Sequence, residues 1–412
     1  MRRLLVAVVT WSAVGGLILL TGASAVASSR SLSVPGAGAA ASTLVVDRDK
    51  VQCPDAAFTS IQAAVNAAAP GDTVRVCADL YTEAVTVDKA LVIEAKGGEP
   101  REMHCLDLPA PPDPTRDAVV KSGPIAFQVL ADGVTIDGFV IEPVATGVRG
   151  GIGVSRLLVR NTLIENAAIG VSFGPSGASP SVLDSNCLRD LAIGVNLRTP
   201  SSNVTVQRNT FARNFQGVVV RQGSADITVD RNRSVEDGIF ALVFPSTRLA
   251  ITRNTVLRSQ DGAVAAIAVG GTMNSLIDRN TITGGLGNGI GFAGPGQGVP
   301  ANVNILVSRN VIDHMGLSGI RTTPDSLQDS SILRNTSIEN MIDGIRIEAG
   351  ANTGNRIDRN VIRGNSGLDC HDDTIGTGTS GTANVWTNDV GLTENPPGLC
   401  HASRDGEQAS GS

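Results

Sequence analysis

The sequence predicts an all-β chain wound as a single-stranded right-handed parallel β-helix, a solenoid closed at its N-terminal end by a short capping helix. Three observations lead there. An asparagine recurs at a nearly constant interval. A glycine followed by an aliphatic residue trails most of these asparagines at a fixed offset. The composition, with 47 glycines and only 17% charged residues, favours short strands and turns over long surface helices.

Aligned on the asparagine, nine segments fall into register, starting at Asn161, Asn186, Asn209, Asn232, Asn254, Asn280, Asn310, Asn335 and Asn360, at intervals of 25, 23, 23, 22, 26, 30, 25 and 25 residues. A period near 25 that tolerates insertions marks stacked units burying their apolar edges against one another. Leucine-rich repeats share this spacing, so the stretch after the asparagine has to decide. Gly170-Val171, Gly194-Val195, Gly217-Val218, Gly289-Ile290, Gly319-Ile320 and Gly344-Ile345 stand eight or nine residues on and describe another strand, not a helix. Each coil therefore reads as three strands. The asparagine sits at a tight bend, in the left-handed conformation that Asn tolerates, and the stacked amides form a ladder along the axis. Asp137, 24 residues before Asn161, reads as a variant first rung.

The ends read differently. Residues 1–27 have the parts of an export signal: Arg2 and Arg3, an apolar run from Leu4 to Leu20, and small-residue cleavage sites at Ala25 and Ala27. The run also approaches the length of a membrane span, so an uncleaved anchor is the competing reading and the only route to a membrane. Residues 28–43 read as a flexible linker, 44–395 as the solenoid with an N-terminal cap over 44–95 and a C-terminal cap over 366–401, and 402–412 as a disordered tail. A secreted or cell-surface location follows. The formal charge of −6 becomes −8 without Arg2 and Arg3, which disfavours nucleic acid as a partner.

The stretch from Phe58 to Val76, followed by Tyr81-Thr82-Glu83 and by Val85 to Ile93, resembles the opening of many secreted β-helix proteins, and the repeat resembles that of the pectate-lyase-like superfamily over about Leu44 to Asn395. Thr59 and Gln62 fit a capping box, and Ile61, Ala64, Val65 and Ala68 form one apolar helix face. The resemblance implies a ligand along the outer face of one parallel sheet. Branches of the superfamily bind carbohydrate or assist the maturation of periplasmic copper sites. The polygalacturonase, pectate lyase and pectinesterase motifs are not recognisable here, which leaves enzymatic activity open.

Cys53 and Cys77 are one period apart and Cys370 and Cys400 bracket the tail, so each pair is expected to form a disulfide. Cys105 and Cys187 either pair across the proline-rich loop or leave Cys187 as a buried thiol. No spacing suggests a metal site of cysteines.

Alternation in the strand after each glycine puts Val171, Phe173, Val195, Leu197, Leu242 and Phe244 inside, and Ser172, Asn196, Val219, Val243, Ala265, Gly291, Arg321 and Arg346 outside. Ser172, Asn196, Arg321 and Arg346 are the candidate ligand-binding residues. The two arginines, one coil apart, suit a carboxylate or sulfate, or are plain surface. Insertions at 174–181, 199–203, 294–301 and 322–330 either wall a groove beside this face or are tolerated loop length. A column of arginines precedes the ladder, from Arg160 and Arg208 to Arg359, and reads as a solvated stripe paired with Asp230, Asp278 and Asp358. The candidate catalytic cluster is Asp369, His371, Asp372 and Asp373, which offers a base or oxygen ligands for Ca2+; the same stretch also resembles cap structure, and no other cofactor is implied. His104, with Glu102 and Asp107, is a weaker candidate. The expected function is non-catalytic binding of a polysaccharide or a cell-envelope partner, and the alternative is a lyase, hydrolase or epimerase on an acidic glycan. The sequence does not set the oligomeric state.

Overall fold

The computed structural model describes residues 41–97, 105–106, 112–121, 123–143 and 145–402 of the chain. The residues read as an export signal, most of those read as a linker, the residues from 403 on, and Glu102, His104 and Asp107 lie outside the described residues. No described helix is long and apolar enough to cross a membrane.

From Thr43 to Asn395 the chain winds as a right-handed parallel β-solenoid. Among the described residues, three sheets of 15, 12 and 13 strands run along its length; we call them A, B and C. One coil passes through Leu158–Arg160 in sheet A, Leu163–Glu165 in sheet B and Ile169–Phe173 in sheet C, then re-enters sheet A at Ser181–Asp184. Neighbouring coils pair in parallel, so the pleat repeats and every second side chain stacks on its equivalent. The interior columns are almost wholly aliphatic. In sheet A one column runs Val206, Val229, Ile251, Ile277, Val307, Ile332 and Ile357 and ends on Trp386. Sheet C supplies Val171, Val195, Val218, Ala241, Ile267, Ile290, Ile320 and Ile345. All are buried, and each Val or Ile contributes about 1.5–3 kcal/mol by leaving water.

Helix α1 (Ile61–Ala67) lays Ile61, Ala64 and Val65 on the open N-terminal end. Its cap is Ser60, not Thr59 as the capping-box reading had it. Ser60 Oγ accepts from the Ala63 amide at 3.3 Å. Glu83, from the following coil, accepts from the Ile61 and Gln62 amides at 2.7 and 2.9 Å, so a distant carboxylate does what the local box was expected to do.

The asparagine ladder runs at the corner between sheets A and B. Asn186, Asn209, Asn232, Asn254, Asn280, Asn310, Asn335 and Asn360 are all buried, and each from Asn209 onward receives at its Oδ1 both the amide and the Nδ2 group of the preceding asparagine, at 2.8–3.0 Å. Asn161 is not a rung. Thr162 takes that place, its amide donating to Asn186 Oδ1, while Asn161 turns outward to Asp137. The left-handed residue is also not the rung. It is the one before it: Ser185, then Arg208, Arg231, Arg253, Arg279, Arg309, Arg334 and Arg359, with φ between 52° and 58°. The chain needs one such residue to turn the corner. The ladder amide must point inward to bond the coils on either side, so the strained position goes to the outward neighbour. Its guanidinium then reaches solvent and the aspartates, as in Arg253–Asp230 and Arg309–Asp278.

Three disulfides are present and no cysteine is free. Cys53–Cys77 joins adjacent coils and Cys370–Cys400 closes the C-terminal cap. Cys105–Cys187 ties the inserted loop to sheet B, which settles the alternative left open by the sequence.

Candidate functional site

Sheet C carries the site on its outer face. Along successive coils the outer row reads Arg149, Ser172, Asn196, Val219, Leu242, Ala268, Gly291, Arg321, Arg346, His371 and Asn395. Two rungs differ from the sequence reading: Leu242 stands outside where Val243 was expected, and Ala268 where Ala265 was expected. Val243 is buried in register with Val220 and Val269. These coils carry Phe240 and Ala266 where their neighbours carry the marker glycine, and the expected register is off by one residue at Leu242 and by three at Ala268, odd offsets that exchange the two faces. Phe244 consequently lies outside the core, with the Arg221 guanidinium 5.4 Å from its ring centre.

Ala268 and Gly291 form the floor of a cleft of about 290 Å³. The absence of a side chain at Gly291 leaves the floor flat; a Cβ there would lie 3.0 Å from Ala265 Cβ. One wall comes from the 294–301 insertion, where Pro295–Gln297 form a single 3-10 turn and Gln297 Oε1 accepts from Thr323 Oγ1 at 2.8 Å. The other wall is Ala263, Val264 and Ala265, delivered by an insertion between sheets B and C. The lining is mainly apolar, and Arg321 closes one end.

Beyond Arg321 the row becomes densely charged. Arg321 Nε donates to Glu348 Oε1 at 2.8 Å. Arg346 lies between Asp373 at 3.3 Å and Asp343 at 3.5 Å, with Glu348 at 3.9 Å. His371 is held at both ring nitrogens, Nδ1 by Asp343 at 3.1 Å and Nε2 by Asp373 at 2.9 Å. The hydrogen bond to Asp343 raises the imidazole above its usual pKa, helped by the charge of Asp373 and opposed by burial and Arg346. Burial would raise Asp343, but the hydrogen bonds from His371 and the Leu368 amide, with the nearby positive charges, outweigh it and hold this carboxyl low. The imidazole between the two carboxylates therefore keeps its proton to higher pH than a free histidine does.

The structure unites two candidates that the sequence kept apart, since Arg321 and Arg346 share one row with His371. It also splits the tail cluster. Asp369 turns away, accepting from Asn365 Nδ2 and from the Leu392 and Thr393 amides. Asp372 points into the core and accepts from Trp386 Nε1 at 2.8 Å and Asn384 Nδ2 at 3.1 Å. Asp369 and Asp372 are thus cap structure, and with Asp373 they do not converge as the oxygen ligand set considered for Ca2+. Ser172 is only 3% exposed, and the half-buried Asn196 accepts from Arg221 at its Oδ1. The guanidinium groups of Arg321 and Arg346 are likewise engaged by carboxylates of the chain rather than open to an external anion.

Asp343, Glu348 and the 263–265 wall were missed. Signals existed for two of them. Arg346 and Glu348 are two residues apart and so share a face of one strand, and the interval from Asn254 to Asn280 exceeds the three before it.

The family described as "Right handed beta helix region" matches residues 126–256. No curated protein matches the chain in sequence. Among solved structures, the catalytic unit of a GH87 α-1,3-glucanase from Streptomyces thermodiastaticus superposes with a TM-score of 0.61 at 13% identity, over 87% of this chain and 70% of that one. The A-module of a mannuronan C-5 epimerase from Azotobacter vinelandii gives 0.53 at 11% identity, over 83% and 94%. At these identities the likeness is one of fold, the right-handed parallel β-helix.

Proposed function

We propose that this chain acts outside the cytoplasm and binds a glycan along the outer face of sheet C, in the cleft floored by Ala268 and Gly291. That walled cleft is the observation that carries the reading. Its flat apolar floor suits the ring face of a sugar, and Gln297, Thr323 and Arg321 supply polar contacts at its edge. Two fold neighbours, a glucanase and a mannuronan epimerase, act on polysaccharides. Three disulfides fit an oxidising compartment. Neither Tyr81 nor Trp386 serves as a stacking platform, because both are buried in the caps.

A second reading, that the chain turns a glycan over, is favoured by one arrangement. His371 with Asp343 and Asp373 stands two coils beyond Arg321, and an acid and a base on one face are what lyase, epimerase or hydrolase chemistry needs. A panel of neutral and uronic-acid polysaccharides, tested both for binding and for new reducing or unsaturated ends, separates the two. Binding without product supports the first reading. Product formation that disappears in His371→Ala replaces it with the second.

A further inference from the structure

We propose that the N-terminal end of the solenoid holds a divalent cation of the calcium type between Asp47, Asp49 and Asp79. Asp47 follows the first strand of sheet A (Thr43–Val46), and Asp79 opens the first strand of sheet B (Asp79–Tyr81). The corner between sheets brings their carboxylates together with that of Asp49. One oxygen from each lies within 4.8 Å of the other two, which is twice the usual Ca–O distance, so a single ion can touch all three.

The second observation is independent of this clustering. Asp47 is 0% exposed, and while its Oδ2 accepts from the Cys53 amide, its Oδ1 is buried with no hydrogen-bond partner. A buried anionic oxygen without a donor is costly, and an ion at this corner would supply the missing partner. The nearby cations do not reach it. Arg48 is committed to Asp79, at 3.1–3.3 Å, and Lys96 Nζ points at Cys53 Sγ, 3.4 Å away. Three carboxylates against Arg48 and Lys96 leave a net charge of −1 at the corner. Hard oxygen ligands select a hard cation, and a site open on the Asp49 side leaves room for water in the remaining coordination positions. Such an ion would pin the first corner of the solenoid, beside the Cys53–Cys77 disulfide.

The test uses the chelator-treated, full secreted chain with CaCl2 alone. Millimolar Ca2+ is expected to raise Tm by about 2–4 °C, as linkage gives for an ion at ten to a hundred times its Kd. Asp49→Asn, at an exposed position where folding is not at stake, is expected to abolish the rise, and Asp313→Asn, in a separate surface group with His314 and Glu339, to keep it. Tb3+ provides a second readout through the buried phenol of Tyr81, close enough to feel the charges of Asp47 and Asp79. Its sensitised emission should be strong in the parent chain, displaced by Ca2+ and lost in Asp49→Asn. No Tm response to Ca2+, or a response and emission that survive in Asp49→Asn, overturns the proposal.

Discussion

Asn360 gives both its backbone amide and its Nδ2 group to one oxygen of Asp389, at 2.8 and 2.7 Å, so a ladder of amides ends on a carboxylate whose other oxygen has no donor. Earlier rungs direct Nδ2 at the carbonyl of the inward sheet-A residue one coil back, as Asn360 does to Ile332 and Asn335 to Val307. Asp389 has no amide to give in this way, and its second oxygen is buried without a partner. Burial pushes this carboxyl up to about 7. Asp237, which ends the short rung from Asn214, is likewise pushed up to about 7 by burial.

The sign of the consequence is fixed by linkage. A carboxyl whose folded pKa exceeds its unfolded value costs nothing below pH 4, and its penalty grows as pH rises to about 7. Asp389→Asn removes the charge and restores the amide, so it should stabilise the chain above pH 7 by a few kcal/mol and change little at pH 4. Chemical denaturation at both pH values checks this. An effect independent of pH would show that the charge is not the issue.

Within the ladder the position of each residue predicts opposite outcomes for neighbours. Asn254→Ala strands the Asn232 amide and side chain and removes the donors to Val229 and Asn280, and should cost about 2–4 kcal/mol. Arg253→Gly, one residue earlier, loses the ion pair of an exposed guanidinium to the buried Asp230, which keeps Arg231 and Thr252 as partners, but relieves a φ of 54°, and should cost less than Asn254→Ala. Equal costs at the two positions would contradict the assignment of rung and corner.

His371 should titrate above the usual histidine value, because Asp343 accepts its proton-bearing nitrogen. A raised folded pKa means that its stabilising share is complete below the unfolded pKa, about 6.5, and is lost as pH climbs through the folded value. The Tm difference between the parent and His371→Gln should therefore be largest near pH 5.5 and shrink above neutrality. NMR of the ring protons reads the pKa directly. A midpoint at or below 6.5 would mean that Asp343 does not hold the imidazole.

The solenoid was legible because its signal is repeated: one asparagine per coil fixes period, sheet count and corner together. Register along sheet C was legible only where the glycine marks it. Phe240 and Ala266 occupy that place in two coils, and there the pattern alone turned Leu242 and Ala268 to the wrong side. The charged end of the site was half legible. Arg321, Arg346 and His371 stood out by type, whereas Asp343 belongs to a turn before its strand and comes to His371 only through stacking across 28 residues. Asp372 misled because it adjoins His371 in one strand and so faces the opposite way, and Asp369 because it precedes that strand and gives its carboxylate to the Leu392 and Thr393 amides.

The claim on which the account turns is that a glycan lies on Ala268 and Gly291. Calorimetric titration of oligosaccharides from the polysaccharide panel into the parent chain and into Gly291→Leu, whose side chain fills the cleft floor, tests it most directly. The account predicts saturable binding that weakens at least about tenfold in the variant, equivalent to about 1.4 kcal/mol, while the variant keeps the far-UV circular dichroism and cooperative unfolding of the parent. Binding undiminished in Gly291→Leu would place the ligand elsewhere on the solenoid and contradict it.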